Sequence, residues 1–367
     1  MSSSRRCLAL ALLLGAVTAC GGDDGAVPDL SVEAAGEHGV GTRRATLVDA
    51  ARQRSLTIQV WYPAAAASGG FTVEQFEDEP RRSTYAGLLA AADPACPSRT
   101  AQAQPDATPT AGSYPMVAFS HCHECTRFSA MTIAERLASH GFVVVAVDHS
   151  GNTLWDRLAS TGLPLDAGTL ELRVADVAFA LDRVRLDPAF AAMAAVIDPA
   201  HTGVFGHSFG AVTAGLYAQR FGVGAAFALA APMENPLLPG VTITSIAAPL
   251  GFLVAREDNS ISELGNGLIR GNFERATSPA WKIEVADAGH WSVSDLVGVV
   301  PGFAPGCGAD ERQTDGQPFT YLDAATGRGI AAAYVTAFFK ATLVADAGAE
   351  AYLSSPHPAP TVAVESR

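Results

Sequence analysis

The sequence predicts an α/β fold in which a mostly parallel central sheet carries helices on both faces. Three observations predict it. From Pro115 onward, short uninterrupted apolar runs alternate with longer segments of helical spacing, the pattern of a parallel sheet covered on both sides. One run passes through Gly206-His207-Ser208-Phe209-Gly210 into an Ala-rich helical stretch, the strand-turn-helix context that lifts a serine above a sheet. No linker breaks the alternation and no internal repeat appears, so one domain is expected over residues 30–355.

The elements follow in order. Arg44 to Val48 and Leu56 to Tyr62 alternate apolar and polar residues and predict an antiparallel pair that ends at Pro63. Residues 64–112 carry Ala, Pro, Ser, Gly and Thr without a sustained period, which predicts an irregular insertion with at most a short helix near Tyr85 to Ala92. Met116 to Phe119 and Phe142 to Val147 read as buried strands flanking a helix over Ala130 to Ser139 that Gly141 stops. Leu170 to Val184 reads as an amphipathic helix with Leu172, Val177, Leu181 and Val184 inward. Strand and elbow are expected at Gly203 to Ser208, and further strands at Ala225 to Ala230, Pro249 to Ala255 and Trp281 to Val285. Ile330 to Leu343 is expected to close the fold as a helix, leaving residues 356–367 as a disordered tail.

Composition narrows the partners. With 49% hydrophobic and 17% charged residues the chain has ample material for a core. A formal charge of -13, with no basic run beyond Arg5-Arg6, excludes nucleic-acid binding as an expected function. Arg5 and Arg6 precede an apolar stretch, Leu8 to Val17, that is too short to span a bilayer and reads as an export signal. It ends in Val17-Thr18-Ala19-Cys20-Gly21, which resembles the bacterial lipobox. That resemblance implies a signal peptide over 1–19, lipidation of Cys20, a flexible tether over 20–29 and an exported protein anchored in the bacterial cell envelope, at its periplasmic or outer-membrane face. An ordinary signal peptide cleaved near Ala19 is the alternative. The remaining cysteines, Cys96, Cys122, Cys125 and Cys307, form an even set with three possible pairings. At least one disulfide is expected, involving Cys96 or Cys307, because both sit in Pro/Gly-rich loops.

The chemistry starts at Ser208, the candidate nucleophile. A serine hydroxyl needs a base, and the base a carboxylate to orient it. In this architecture acid and histidine follow the serine, each on a loop just past a strand. His290 fits after Trp281 to Val285, and Asp258 fits after Pro249 to Ala255, with Glu257 as its near alternative. His207 is expected to pack rather than react. The amides of Phe209 and His123 are the expected oxyanion donors. His121, Cys122, His123, Glu124 and Cys125 are all metal-ligand types, but consecutive side chains on an extended loop diverge, and no second cluster completes a tetrahedron, so no metal is expected. Trp291, Trp155 and Met233 are candidate walls of an acyl pocket.

Several stretches together resemble the bacterial dienelactone-hydrolase-like proteins and platelet-activating-factor acetylhydrolases of the α/β-hydrolase superfamily. They are Val60-Trp61-Tyr62-Pro63, Phe119-Ser120-His121, the run from Ile133 to His149, Arg173 with Asp176, Gly206 to Gly210 and His290-Trp291-Ser292. The resemblance implies an α/β-hydrolase fold and a serine ester hydrolase that needs no cofactor. Three departures stand out. Ser208 occupies the place of the cysteine of dienelactone hydrolases proper. Ala230 stands where the acetylhydrolases carry their acid, which moves the acid to Asp258 or, as a second choice, Glu234. Cys122 replaces the glycine after the oxyanion-loop histidine. The expected activity is cleavage of small or medium acyl esters through an acyl-enzyme. An inactive surface lipoprotein of the same fold is the rival, as is a hydrolase directed at phospholipid or polyester.

Overall fold

The structure is a computed structural model and describes residues 26–65 and 70–367. The expected signal peptide, Cys20 and most of the tether lie outside the described residues. Strands β1 (Gly39–Asp49) and β2 (Arg54–Ala64) pair antiparallel along their whole length, from Gly39 opposite Ala64 to Asp49 opposite Arg54. Pro63 lies inside β2, opposite Val40, rather than ending it. The insertion holds α1 (Arg81–Ala91) and the two-residue β3 (Gln104–Pro105).

The alternating part then follows: β4 (Tyr114–Ser120), α2 (Met131–Ser139), β5 (Val143–Val147), α3 (Leu154–Leu158), α4 (Ala167–Leu186), α5 (Ala191–Ala194), β6 (Ile197–His207), α6 (Phe209–Phe221), β7 (Ala225–Leu229), β8 (Leu250–Ala255), α7 (Ser262–Arg275) and β9 (Ala280–Val285). A small hairpin, β10 (Ala309–Glu311) with β11 (Pro318–Thr320), precedes α8 (Ala324–Leu343), α9 (Ala347–Leu353) and β12 (Val362–Ser366). Among the described residues ten strands form one sheet in the order β12-β9-β8-β7-β6-β4-β5-β2-β1-β3, parallel from β9 through β5.

The parallel strands are apolar throughout because both faces are covered. Val117, Phe119, Val144, Phe205 and Ile283 share one core with Leu137 of α2 and Phe338 of α8. Their neighbours Met116, Ala118, Val143, Val145 and Val204 share the other with Leu181 of α4 and Leu216 of α6. Alternation along the strand therefore assigns each residue its layer.

Three expectations are corrected. The terminal residues 356–367 are not a disordered tail, since β12 pairs antiparallel with β9, Val362 opposite Val285 through Ser366 opposite Trp281. The helix expected from Ile330 starts at Ala324, capped by Asp323, whose carboxylate accepts from the Ala325 and Thr326 amides, both at 3.0 Å. It does not close the chain either. In α4 the inward face is Leu170, Val174, Val177, Leu181 and Val184, while Leu172 is only half-buried.

Both disulfides form among the four expected cysteines. Cys96–Cys307 spans 211 residues and ties the insertion to the long loop after β9, and Cys122–Cys125 spans 3. Loop-closure entropy makes the first worth about 5 kcal/mol and the second about 2 kcal/mol. The long bridge is thus the stabilising one. The insertion is also held by Arg127, fully buried between Glu77 and Asp148. Burial pushes the Glu77 carboxyl up from its usual range.

Candidate active site

Gly206 and Gly210 permit the turn after β6. A Cβ on Gly206 would lie 2.0 Å from the Gly210 carbonyl oxygen, and one on Gly210 would lie 1.9 Å from that of Ser120. No side chain fits at either place. Between them Ser208 adopts φ 56° and ψ -122°, a strained conformation for a residue with a Cβ. Its amide donates to the Leu229 carbonyl at 3.0 Å, which fixes the bend to β7. Ser208 remains partly exposed in a turn whose neighbours are buried.

The loop after β9 brings His290 to the loop after β8. His290 Nδ1 donates to Asp258 Oδ2 at 2.8 Å, and both residues are buried. Asp258 Oδ1 accepts from the amides of Ser260 and Ile261, each at 3.0 Å, so the carboxylate is aimed by its own turn. This leaves His290 Nε2 as the lone-pair nitrogen. His207 ties this pair to the elbow: its Nε2 donates to the His290 carbonyl at 2.9 Å, and the two rings lie 4.9 Å apart. Burial holds His207 well below the usual histidine range, so it stays neutral. It packs, as expected.

The alternative acids lie elsewhere. Glu257 binds Arg312 at 2.7 Å and the Gln313 amide at 3.1 Å. Glu234 accepts from the Ile243 amide at 2.7 Å and from Arg275 at 2.8 Å. Neither is hydrogen-bonded to His290.

Phe209 begins α6, where the first amides of a helix have no intrahelical acceptor. The His123 ring sits 6.1 Å from the Phe209 ring, so the loop after β4 runs beside the elbow. That loop is held from beneath. Arg173 of α4, fully buried with its guanidinium 4.6 Å from the centre of the Phe209 ring, donates to the His121 carbonyl and to Ser120 Oγ at 3.1 Å. It also donates to Asn152 Oδ1, and Asn152 Nδ2 in turn donates to His123 Nδ1 at 2.8 Å. Burial pushes the Arg173 pKa down to about 9. His121 Nδ1 donates to the Cys122 carbonyl at 2.7 Å while its Nε2 accepts from the His149 amide at 3.1 Å.

Beneath this lies a second chain of the same residue types. Ser120 Oγ donates to His149 Nε2 at 3.0 Å, and His149 Nδ1 donates to Asp176 Oδ2 at 3.2 Å. All three are completely buried, and Asp176 also binds Arg52 at 2.7 Å and Arg54 at 2.8 Å. Ser120, His149 and Asp176 lie in the stretches that carry the resemblance but were given no role there, and Asn152 was not singled out at all. For Ser120 and His149 the available signal was a polar residue at or just past the end of an otherwise apolar strand.

Cys122 and Cys125 are joined, so neither offers a thiolate to a metal. Among the described residues no three His, Cys, Asp or Glu side chains are grouped to hold an ion. Of the candidate pocket walls, Trp291 stands 5.4 Å from the His290 ring and stacks on Phe303 at 3.9 Å. Trp155 faces Tyr85 and carries the Arg81 guanidinium 5.2 Å above its ring. Met233 is core, packed against Gly215 of α6.

The family model described as platelet-activating factor acetylhydrolase, isoform II, matches residues 32–161, which contain the loop after β4. A ferulic acid esterase from Streptomyces cinnamoneus superposes with a TM-score of 0.69 at 23% identity, over 89% of this chain and 96% of that one. At that identity the likeness is one of fold. Among curated proteins no sequence matches significantly.

Proposed function

On the premise that the chain is an α/β-hydrolase whose residues 32–161 are similar to the platelet-activating-factor acetylhydrolases, we propose that it is a serine carboxylic-ester hydrolase acting on small or medium acyl esters. The family match supports a hydrolase acting on esters. The observation that carries the finer reading is the buried pair of Asp258 and His290 at 2.8 Å, fastened by His207 to the turn that presents Ser208.

In this mechanism His290 Nε2 takes the Ser208 proton as Oγ attacks the ester carbonyl. Asp258 keeps the proton on Nδ1 and stabilises the imidazolium that forms. The amides of Phe209 and His123 receive the oxyanion. The intermediate collapses as His290 returns the proton to the leaving alcohol, and water repeats the sequence on the acyl-Ser208 to release the acid. Turnover of p-nitrophenyl acetate and butyrate by the wild type and by Ser208→Ala tests this reading. A loss of about 10³-fold or more is expected, and equal rates would end it.

We also propose that the protein is exported and lipid-anchored through Cys20. The lipobox-like stretch supports this, as do two disulfides of a kind that persist in oxidising compartments. Metabolic labelling with a radioactive fatty acid is expected to mark the wild type and not Cys20→Ser; equal labelling would remove the proposal.

A further inference from the structure

We infer that the Cys122–Cys125 disulfide sets the position of the His123 amide, making Cys122 and Cys125 positioning residues for the oxyanion step. The inference rests on the ester-hydrolase reading above and goes beyond it in assigning the bridge a part in turnover.

The loop is anchored at both ends. On entry, Arg173 holds the His121 carbonyl and His121 Nδ1 holds the Cys122 carbonyl at 2.7 Å. On exit, the Cys125 carbonyl accepts from the Leu154 amide at 2.8 Å. Between these anchors lie His123 and Glu124, whose backbone direction decides where the His123 amide points. Glu124 has φ 56°, the left-handed region that a residue with a Cβ avoids. Without a constraint such a residue relaxes toward extended backbone and rotates the neighbouring peptide planes.

Three constraints oppose that relaxation. Arg157 holds the Glu124 carboxylate at 2.7 Å, and Asn152 holds the His123 ring. Both act through side chains, and Arg157 is itself substantially exposed. The third is covalent: the disulfide closes a ring around His123 and Glu124, and inside it the Cys125 amide donates to the Cys122 carbonyl at 3.3 Å. A ring this short is worth only about 2 kcal/mol against about 5 kcal/mol for the long bridge, so global stability rests mainly on the other disulfide. Both cysteines of the short ring are buried, so exposure to solvent thiols does not account for it. Its physical effect is local. An oxyanion donor accelerates the reaction only when fixed before the charge develops, and the bridge supplies that fixity at the one donor that lies on a loop rather than at a helix start.

The test compares Cys122→Ala/Cys125→Ala with Cys96→Ala/Cys307→Ala, both made in an oxidising compartment, measuring kcat and KM on p-nitrophenyl butyrate and the thermal midpoint. The first pair is expected to lose about tenfold or more in kcat with KM within about threefold and a small change in midpoint. The second is expected to lose midpoint while keeping kcat within about twofold at a temperature where it stays folded. Wild-type kcat in the Cys122/Cys125 variant would overturn the inference. So would a rise in KM alone, or failure of both this variant and Cys125→Ser to fold, because the bridge would then serve substrate binding or the fold. The two readings fail separately. Full activity of Ser208→Ala ends the hydrolase assignment, whereas a dead Ser208→Ala beside a fully active Cys122/Cys125 variant ends only the inference.

Discussion

Asp258→Asn tests the relation between carboxylate and imidazole without disturbing volume. One carboxylate oxygen accepts two backbone amides at 3.0 Å each, and the other accepts from His290 Nδ1 at 2.8 Å. An asparagine must keep its carbonyl oxygen on the amides, which are donors, and so turns its NH2 toward Nδ1. Two donors cannot face each other. The imidazole answers by moving its proton to Nε2, which in the proposed mechanism must be free to accept from Ser208, and the imidazolium loses its counter-charge. A tautomer error of this kind is expected to cost about 10⁴-fold in kcat, or about 5.5 kcal/mol of transition-state stabilisation. The assay is p-nitrophenyl butyrate turnover at saturating substrate, with circular dichroism to confirm folding. Glu257→Gln is the matched control: it loosens Arg312 and Gln313 and is expected to keep kcat within about threefold. A kcat for Asp258→Asn within tenfold of wild type would refute the reasoning, and a large loss in Glu257→Gln instead would move the acid by one residue.

Other perturbations follow from the same contacts. Removing Cys96–Cys307 is expected to lower stability by up to about 5 kcal/mol through the loop it closes, and an unchanged urea midpoint would mean the ends stay docked without it. His207 is held neutral by burial, whereas in the unfolded chain it protonates near its usual value, so the unfolded state binds the extra proton. Stability from this group is therefore complete above about pH 6.5 and falls as pH drops below it, by about 1.4 kcal/mol per pH unit. Urea titrations of wild type and His207→Gln between pH 7 and 5 are expected to converge by that slope, and parallel curves would show that His207 does not titrate on unfolding. Truncation after Pro360 removes β12 and exposes the surface that buries Val362, with an expected loss of about 2 kcal/mol or more. An unchanged midpoint would return these residues to the status of a tail.

The elbow was legible in the sequence because its constraint is local: two glycines, a serine and a strand-to-helix change of period lie within ten residues. The contact between Asp258 and His290 was legible for a related reason, since each residue sits just past an apolar run that forms one of two adjacent strands, β8 and β9. The missed structure depends on tertiary partners. The first turn of α8 reads Ala324-Ala325-Thr326-Gly327 and shows no apolar period, yet Gly327 is required there because a Cβ would lie 2.7 Å from the Ser292 carbonyl oxygen. Strand β12 has only five residues, and its extended form is set by the partner β9 offers rather than by a pattern of its own.

Two groups of serine, histidine and aspartate remain to be told apart, the buried Ser120-His149-Asp176 chain and the proposed catalytic set of Ser208, His290 and Asp258. Composition does not separate Ser120, His149 and Asp176 from Ser208, His290 and Asp258, and each histidine donates Nδ1 to an aspartate, but only Ser120 is hydrogen-bonded to its histidine, at 3.0 Å. Their surroundings do. Ser120 is sealed at the end of β4, its oxygen already bonded to Arg173 and His149, so no ester can reach it. Asp176 is shared with Arg52 and Arg54, and burial together with the nearby Arg173 holds His149 well below the usual histidine range. A histidine so disfavoured as a cation is a poor general base and a good rigid spacer. Ser208 has the opposite setting: a strained bend, partial exposure and a histidine whose Nε2 is left open. The proposed nucleophile is thus distinguished from the buried serine less by its partners than by the orbital they leave free and by the path solvent has to it.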